Sequence, residues 1–204
     1  MKVEPAKMDD FFRLDYRTGS VTSLLTNERM QVIPAIKWVE LKEKLTQETH
    51  EYAPLVVVRL GAALGSAFIE EMMSELSDPE SLAKHLSDLA AAAGWGVISM
   101  TGDLRYGSRY TVAVANCVFC HDEDLASAPQ CGVLEGILKG MADRVYGTPH
   151  KVREDRCAAM GEALCQLSVE EASYDSETGE SLEGRPVRAQ GLQNVEDLEK
   201  YLDR

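Results

Sequence analysis

CGVLEGILKGMADRVYG spans residues 131–147, and HKVREDRCAAMGEALCQLSV spans residues 150–169. In the first, Leu134, Ile137, Leu138, Met141 and Val145 recur at helical spacing, and Gly147 with Pro149 ends the helix. In the second, two runs, about His150 to Glu154 and Ala163 to Val169, read as the strands of a hairpin. Cys131 falls at the first turn of the helix, where the positive end of its dipole favours a thiolate. Glu154 ends one strand, Cys157 lies in the connection and Cys165 is on the returning strand. A helix followed by such a hairpin brings three cysteines and one carboxylate toward a common point.

Working back toward the N-terminus, Trp95 to Met100 and Tyr110 to Phe119 read as two strands joined by a turn around Asp103 to Gly107. Strict alternation puts Tyr110, Val112, Val114 and Val118 on one face, and Ala113, Ala115, Cys117 and Phe119 on the other. Asp78-Pro79 is an N-cap with proline at the first helical position, opening a helix through Leu82, Leu86 and Leu89 to Gly94. Pro54 opens a helix from Leu55 to about Ser74 that is apolar nearly all round and reads as buried; Gly61 and Gly65 would let another backbone approach it. A helix from Pro34 to about His50 precedes it. Phe11 to Tyr16 and Val21 to Leu25 form a short hairpin about Arg17-Thr18-Gly19-Ser20. The order is hairpin, three helices, hairpin, helix, hairpin: an α+β class with an antiparallel sheet packed with helices.

The chain has 204 residues and a formal net charge of −13. A duplex-binding protein needs a basic face to displace counterions, so nucleic acid is not an expected partner. The longest apolar stretch, Leu55 to Ile69, is broken by Arg59 and is too short to span a bilayer, and the N-terminus shows no apolar signal segment. The expected home is the cytoplasm. Residues 170–204 carry ten acidic and four basic side chains, so 171–204 reads as an acidic extension. The expected organisation is an N-terminal hairpin segment at 1–29, a domain at 30–170 and that extension.

Five cysteines in a cytosolic chain should be reduced thiols. For Cys131, Glu154, Cys157 and Cys165, two readings stand on spacing alone. They are small buried hydrophobes, or they are the four ligands of a tetrahedral zinc. Cys117-Val118-Phe119-Cys120-His121 is a competing group, open to strand and loop packing, to half of a metal site, or to a redox pair. There is no Gly-x-Ser-x-Gly, no Walker loop and no His-Glu-x-x-His, and the glycines at 94 and 96 lack the rest of a dinucleotide fingerprint.

The run from Cys131 through Gly136 and Gly140, then Tyr146-Gly147, then Glu154, Cys157, Gly161 and Cys165, resembles the zinc motif of the 4-vinyl-reductase-type (hydrocarbon-binding, TRAPP-like) domain family. It is especially similar to the version in sensor domains of phenol-responsive bacterial activators. Gly61-x-x-x-Gly65 and Gly94-Trp95-Gly96 also look like that family. The resemblance covers roughly residues 30–170 and is strongest at 129–169. It implies one structural zinc held by Cys131, Glu154, Cys157 and Cys165. Three thiolates and a carboxylate fill the tetrahedron and leave no open position for catalysis.

The resemblance further implies a TRAPP-subunit-like ligand-binding fold with an apolar pocket for a hydrocarbon-like, phenolic or tetrapyrrole-like molecule. By position Phe68, Met72, Trp95, Tyr110, Cys117 and Phe119 are candidates for its lining, and each is equally a core residue. The expected protein is a stand-alone, non-enzymatic sensor and homodimer that signals through a separate partner. A ligand-free adaptor of TRAPP type is the alternative. A helper in tetrapyrrole vinyl reduction is the third reading, for which no hydride-donor motif is present.

Overall fold

The computed structural model describes residues 10–15, 17, 20–25, 29–30, 36–120 and 126–172. The chain to Glu171 is one compact unit; of the second, Ala172–Arg204, all but Ala172 lies outside the described residues, and with it nearly all of the expected acidic extension.

Three strands, β1 (Phe12–Asp15), β2 (Ser20–Ser23) and β3 (Arg29–Met30), make a small antiparallel sheet in that order. Helix α1 (Ile36–Thr49) and the long α2 (Ala53–Glu75) are joined by a 3-10 turn at His50–Tyr52, and α3 (Pro79–Ala92) follows. The Asp78 carboxylate caps α3, accepting from the Ser81 N–H at 2.8 Å. Then come β4 (Val97–Gly102), β5 (Arg109–Ala115), α4 (Gly132–Tyr146), β6 (His150–Arg156) and β7 (Cys165–Glu171). The second sheet is antiparallel throughout, in the order β4-β5-β7-β6. The expected α+β class is therefore the observed one.

Helix α4 runs across this sheet and α2 packs on α4. The α2 stripe in contact is Val57, Gly61, Gly65, Ile69 and Met72, a spacing of three to four that keeps them on one side of the helix. The facing stripe of α4 contains Gly136 and Gly140. A Cβ on Gly61 would overlap the Val133 carbonyl oxygen, one on Gly65 that of Ile137, one on Gly136 that of Val58, and one on Gly140 that of Ala62. Backbone thus meets backbone in both directions, and no side chain fits between. Val112, Val114, Leu167 and Val169, all fully buried, close the core from the sheet side.

Several expected details change. The small sheet has a third strand, β3, too short to signal itself in sequence. The expected strand Tyr110–Phe119 ends at Ala115, because Asn116 takes a positive φ of 54° and Val118–Cys120 form a 3-10 turn. Alternation therefore fails after Ala115: Cys117, Phe119 and Cys120 all turn inward. Helix α2 is not buried all round. Leu55, Leu60 and Leu64 are exposed on the side away from α4, with Leu64 at 44%. By length and composition the continuous helical stretch Glu40–Glu75 could cross a membrane, contrary to the sequence expectation. Its glycine stripe is instead committed to α4.

Substituting Gly65 by Leu should separate α2 from α4 and cost at least the about 1–3 kcal/mol of an overpacked core in denaturant unfolding. Gly132→Ala, whose Cβ meets only the Val57 Cγ1 at 3.4 Å, should be neutral or stabilise by up to about 1 kcal/mol. Equal behaviour of the two variants would contradict the close-packed helix pair.

Candidate metal centre and apolar cavity

Cys131 is the N-cap of α4 and is fully buried. Its backbone N–H donates to Glu154 Oε2 at 2.9 Å, so the strand carboxylate closes the first turn of the helix. Along β6, His150, Val152 and Glu154 face the core. Strict alternation would point Arg156 inward next. A bulge between Glu154 and Arg156 shifts the register, leaves Arg156 exposed and turns Cys157 in, fully buried. Cys165 opens β7 opposite Val114, and its Sγ accepts from the Ala158 N–H at 3.3 Å.

The ligand atoms of Cys131, Glu154, Cys157 and Cys165 lie within 4.8 Å of one another, all buried. Glu154 is 9% exposed, and its second oxygen, Oε1, is buried with no hydrogen-bond partner among the described residues. A half-satisfied carboxylate among sulfurs is costly unless a cation offsets it. Three thiols and an orphaned carboxylate oxygen form a donor set that suits zinc. Burial first, then hydrogen bonding to Glu154, pushes the Cys157 thiol up to about 12. Without a cation the Cys131 thiol is also held well above its ordinary value, by the neighbouring Cys117 thiol first and then by Cys120, Cys165 and burial. That opposes the expected lowering by the helix terminus. Burial, helped by the Glu154 charge, raises Glu135 to about 6.

Sequence reasoning did not join the Cys117–Cys120 pair to this group. Cys117 Sγ lies 3.6 Å from Cys131 Sγ, Cys120 Sγ 3.3 Å from Cys165 Sγ, and Cys131 Sγ 3.5 Å from Cys165 Sγ. The turn at Asn116, invisible to strand periodicity, is what brings them in. His121 lies outside the described residues.

A cavity of about 40 Å³ lies between α2, α3, α4 and the β4–β5 hairpin, lined by Ile69, Leu82, Leu86, Met100, Tyr110 and Met141 among others. Tyr146 is also on its wall, its hydroxyl donating to the Leu104 carbonyl at 2.7 Å. Burial raises the phenols of Tyr110 and Tyr146, the latter to about 12. Of the six expected lining residues only Tyr110 borders this cavity. Phe68, Trp95 and Phe119 join Trp38 in a chain of aromatic contacts, with ring centroids 6.3, 5.7 and 5.6 Å apart. Met72 is 1% exposed in the core, and Cys117 belongs to the thiol group. Leu82, Leu104 and Tyr146 were not singled out in sequence; nothing marks a cavity wall in a helical apolar stripe.

Residues 110–171 match the family model of the 4-vinyl-reductase domain. No curated protein matches the chain in sequence. Among solved structures, the phenol-responsive sensory domain of the transcription activator PoxR, solved with phenol, is similar at 16% identity and a TM-score of 0.64, over 80% of this chain and 86% of that one. A trafficking protein particle complex subunit 3 from Naegleria fowleri, covalently bound to palmitic acid, is similar at 13% identity and a TM-score of 0.50, over 69% and 93%. A vinyl-4-reductase family protein from Methanocaldococcus jannaschii gives 16% identity and a TM-score of 0.49, over 71% and 85%. The chain thus carries a 4-vinyl-reductase-type domain at residues 110–171, within the helix-and-antiparallel-sheet fold that it shares with TRAPP-like proteins.

Proposed function

We propose that this protein is a ligand-sensing module that binds an apolar or aromatic small molecule and passes the event to a separate partner. The observation that carries the reading is the fold shared with a phenol-responsive sensory domain across most of both chains. Residues 30–170 are then the ligand-binding domain, with 1–29 and 171–204 as flanking segments, in a cytoplasmic homodimer. Zinc held by Cys131, Glu154, Cys157 and Cys165 is structural in this reading. When bound, it supplies a four-bond tie between α4 and the β6–β7 hairpin.

The cavity supports the reading by its chemistry and constrains it by its size. Its wall is apolar apart from two phenol groups, the pattern of a site with a few polar groups to orient a ligand. At about 40 Å³ it is smaller than the roughly 150 Å³ of a dry cavity that accepts benzene. A ring therefore enters only if flexible lining side chains such as Met100, Leu104 and Leu86 give way. Displacing them moves α3 and the β4–β5 turn relative to α4, which couples occupancy to shape. The titratable groups in the wall are Tyr110 and Tyr146, and burial keeps both protonated at neutral pH. That favours binding without turnover.

The exposed Leu55, Leu60 and Leu64 face of α2 supports the homodimer, since an apolar helix face of this kind gains by burial against a copy of itself. Light scattering at micromolar concentration should give twice the chain mass, and Leu64→Glu should return it to that of a single chain. A monomeric wild type would contradict this.

A ligand at a hundredfold excess over its dissociation constant stabilises the fold by about 2.7 kcal/mol, which is about 5–10 °C in melting midpoint for a domain of this size. A thermal-shift series of phenols, fatty acids and porphyrins should contain at least one such shift, and Ala83→Phe, which fills the cavity, should abolish it. If no compound moves the wild-type midpoint, the sensor reading fails and a ligand-free adaptor replaces it. Cys157→Ser/Cys165→Ser should lose both zinc and cooperative unfolding, because metal and fold are coupled at such sites. Zinc retention in that variant would contradict the assigned ligands.

A further inference from the structure

Cys117 and Cys120 are unexplained by a single ion held at the first quartet. Both are buried, at 3% and 5% exposure. The left-handed Asn116 and the 3-10 turn after it aim both thiols at the same place. Their ligand atoms, with those of Cys131 and Cys165, also lie within 4.8 Å of one another. The two quartets overlap: Cys131 and Cys165 belong to both, with Glu154 and Cys157 completing one and Cys117 and Cys120 the other. We propose that the six residues hold two zinc ions, as two tetrahedra that share the Cys131–Cys165 edge. This rests on reading the first quartet as a zinc centre.

The distances fit a shared edge. With zinc–sulfur bonds of about 2.3 Å, the edge of a tetrahedron is about 3.8 Å. The observed sulfur separations of 3.6, 3.5 and 3.3 Å lie close to that value along a continuous path from Cys117 through Cys131 and Cys165 to Cys120. As neutral thiols, the same sulfurs have only weak S–H donors to hold them together. A separation of 3.3 Å is closer than carbon atoms normally rest, at about 3.5–4.0 Å. A cation between them removes that conflict.

The charge also balances. One dication with three thiolates and a carboxylate leaves the centre with a net charge of −2, with Cys117 and Cys120 protonated. A second Zn²⁺ forms two new bonds to Cys117 and Cys120 and two to the shared thiolates, and it displaces two protons to solvent. The net charge stays at −2, so the second ion adds no further charge to the interior. The bridging Cys165 sulfur also accepts the Ala158 N–H at 3.3 Å, a contact suited to a thiolate that carries two ions. The second ion would tie the turn after β5 to the helix and the hairpin.

The test is zinc stoichiometry in the full chain, purified reduced from zinc-supplemented cells and measured by elemental analysis and native mass spectrometry. Two zinc ions per chain are expected, falling to one in Cys117→Ser/Cys120→Ser. One zinc in both proteins overturns the two-ion centre and leaves the single staple standing. One zinc in the wild type and none in the double variant places a lone ion in the all-thiolate quartet and overturns both assignments. No zinc in either overturns both as well. If the variant does not fold, wild-type protein loaded with cadmium-113 decides: two resonances are expected, each split by the other through the shared sulfurs, and a single resonance overturns the proposal.

Discussion

Two helices that meet with no side chain between them fix everything else in this molecule. Gly61 and Gly65 on α2 face Gly136 and Gly140 on α4, and a Cβ at any of the four would strike the other helix's backbone. Such a contact has one register. Sliding α4 by a single residue would bring Ile137 and Met141, or Glu135 and Lys139, to positions where only glycine fits. The register in turn sets where α4 begins, and so sets Cys131 against Glu154 on β6 and Cys165 on β7. A packing constraint in one layer thereby becomes a coordination constraint in the next.

The cysteine group sits where the core has the least else to hold it. Helix α4, the bulged end of β6, the start of β7 and the turn after β5 converge there, and each contributes sulfur or oxygen in place of a large hydrocarbon side chain. Burying a carboxylate with one unpartnered oxygen costs free energy. Raised thiol pKa values at Cys131 and Cys157 show the same cost from the sulfur side. A cation converts both costs into bonds, and the affinity so gained becomes stability of the convergence point. The apolar cavity lies between other parts of the same elements, α2, α3, α4 and the β4–β5 hairpin. A rigid end and a deformable middle in one scaffold suit a domain that reports occupancy by changing shape.

Much of this was readable in sequence because the decisive features are periodic or punctuated. Leu134, Ile137, Leu138 and Met141 announce α4, Gly147 ends it in the left-handed conformation with φ at 69°, and the hairpin carrying Glu154, Cys157 and Cys165 follows within a few residues. What stayed hidden depends on single backbone angles or on tertiary contact. Asn116 looks like any strand residue until its positive φ turns Cys117 and Cys120 into the thiol group. Helix α2 reads as apolar all round, and only its packing distinguishes the glycine face from the exposed Leu55, Leu60 and Leu64 face. The aromatic residues Phe68, Trp95 and Phe119, natural candidates for a ligand wall, satisfy one another instead.

X-ray absorption at the zinc edge, on freshly purified reduced protein, addresses the metal centre without a crystal, a ligand or a variant. The account predicts a zinc edge with a dominant sulfur shell at about 2.3 Å and a minor oxygen contribution at about 2.0–2.2 Å. Absence of zinc, or a shell of nitrogen and oxygen alone, would contradict it.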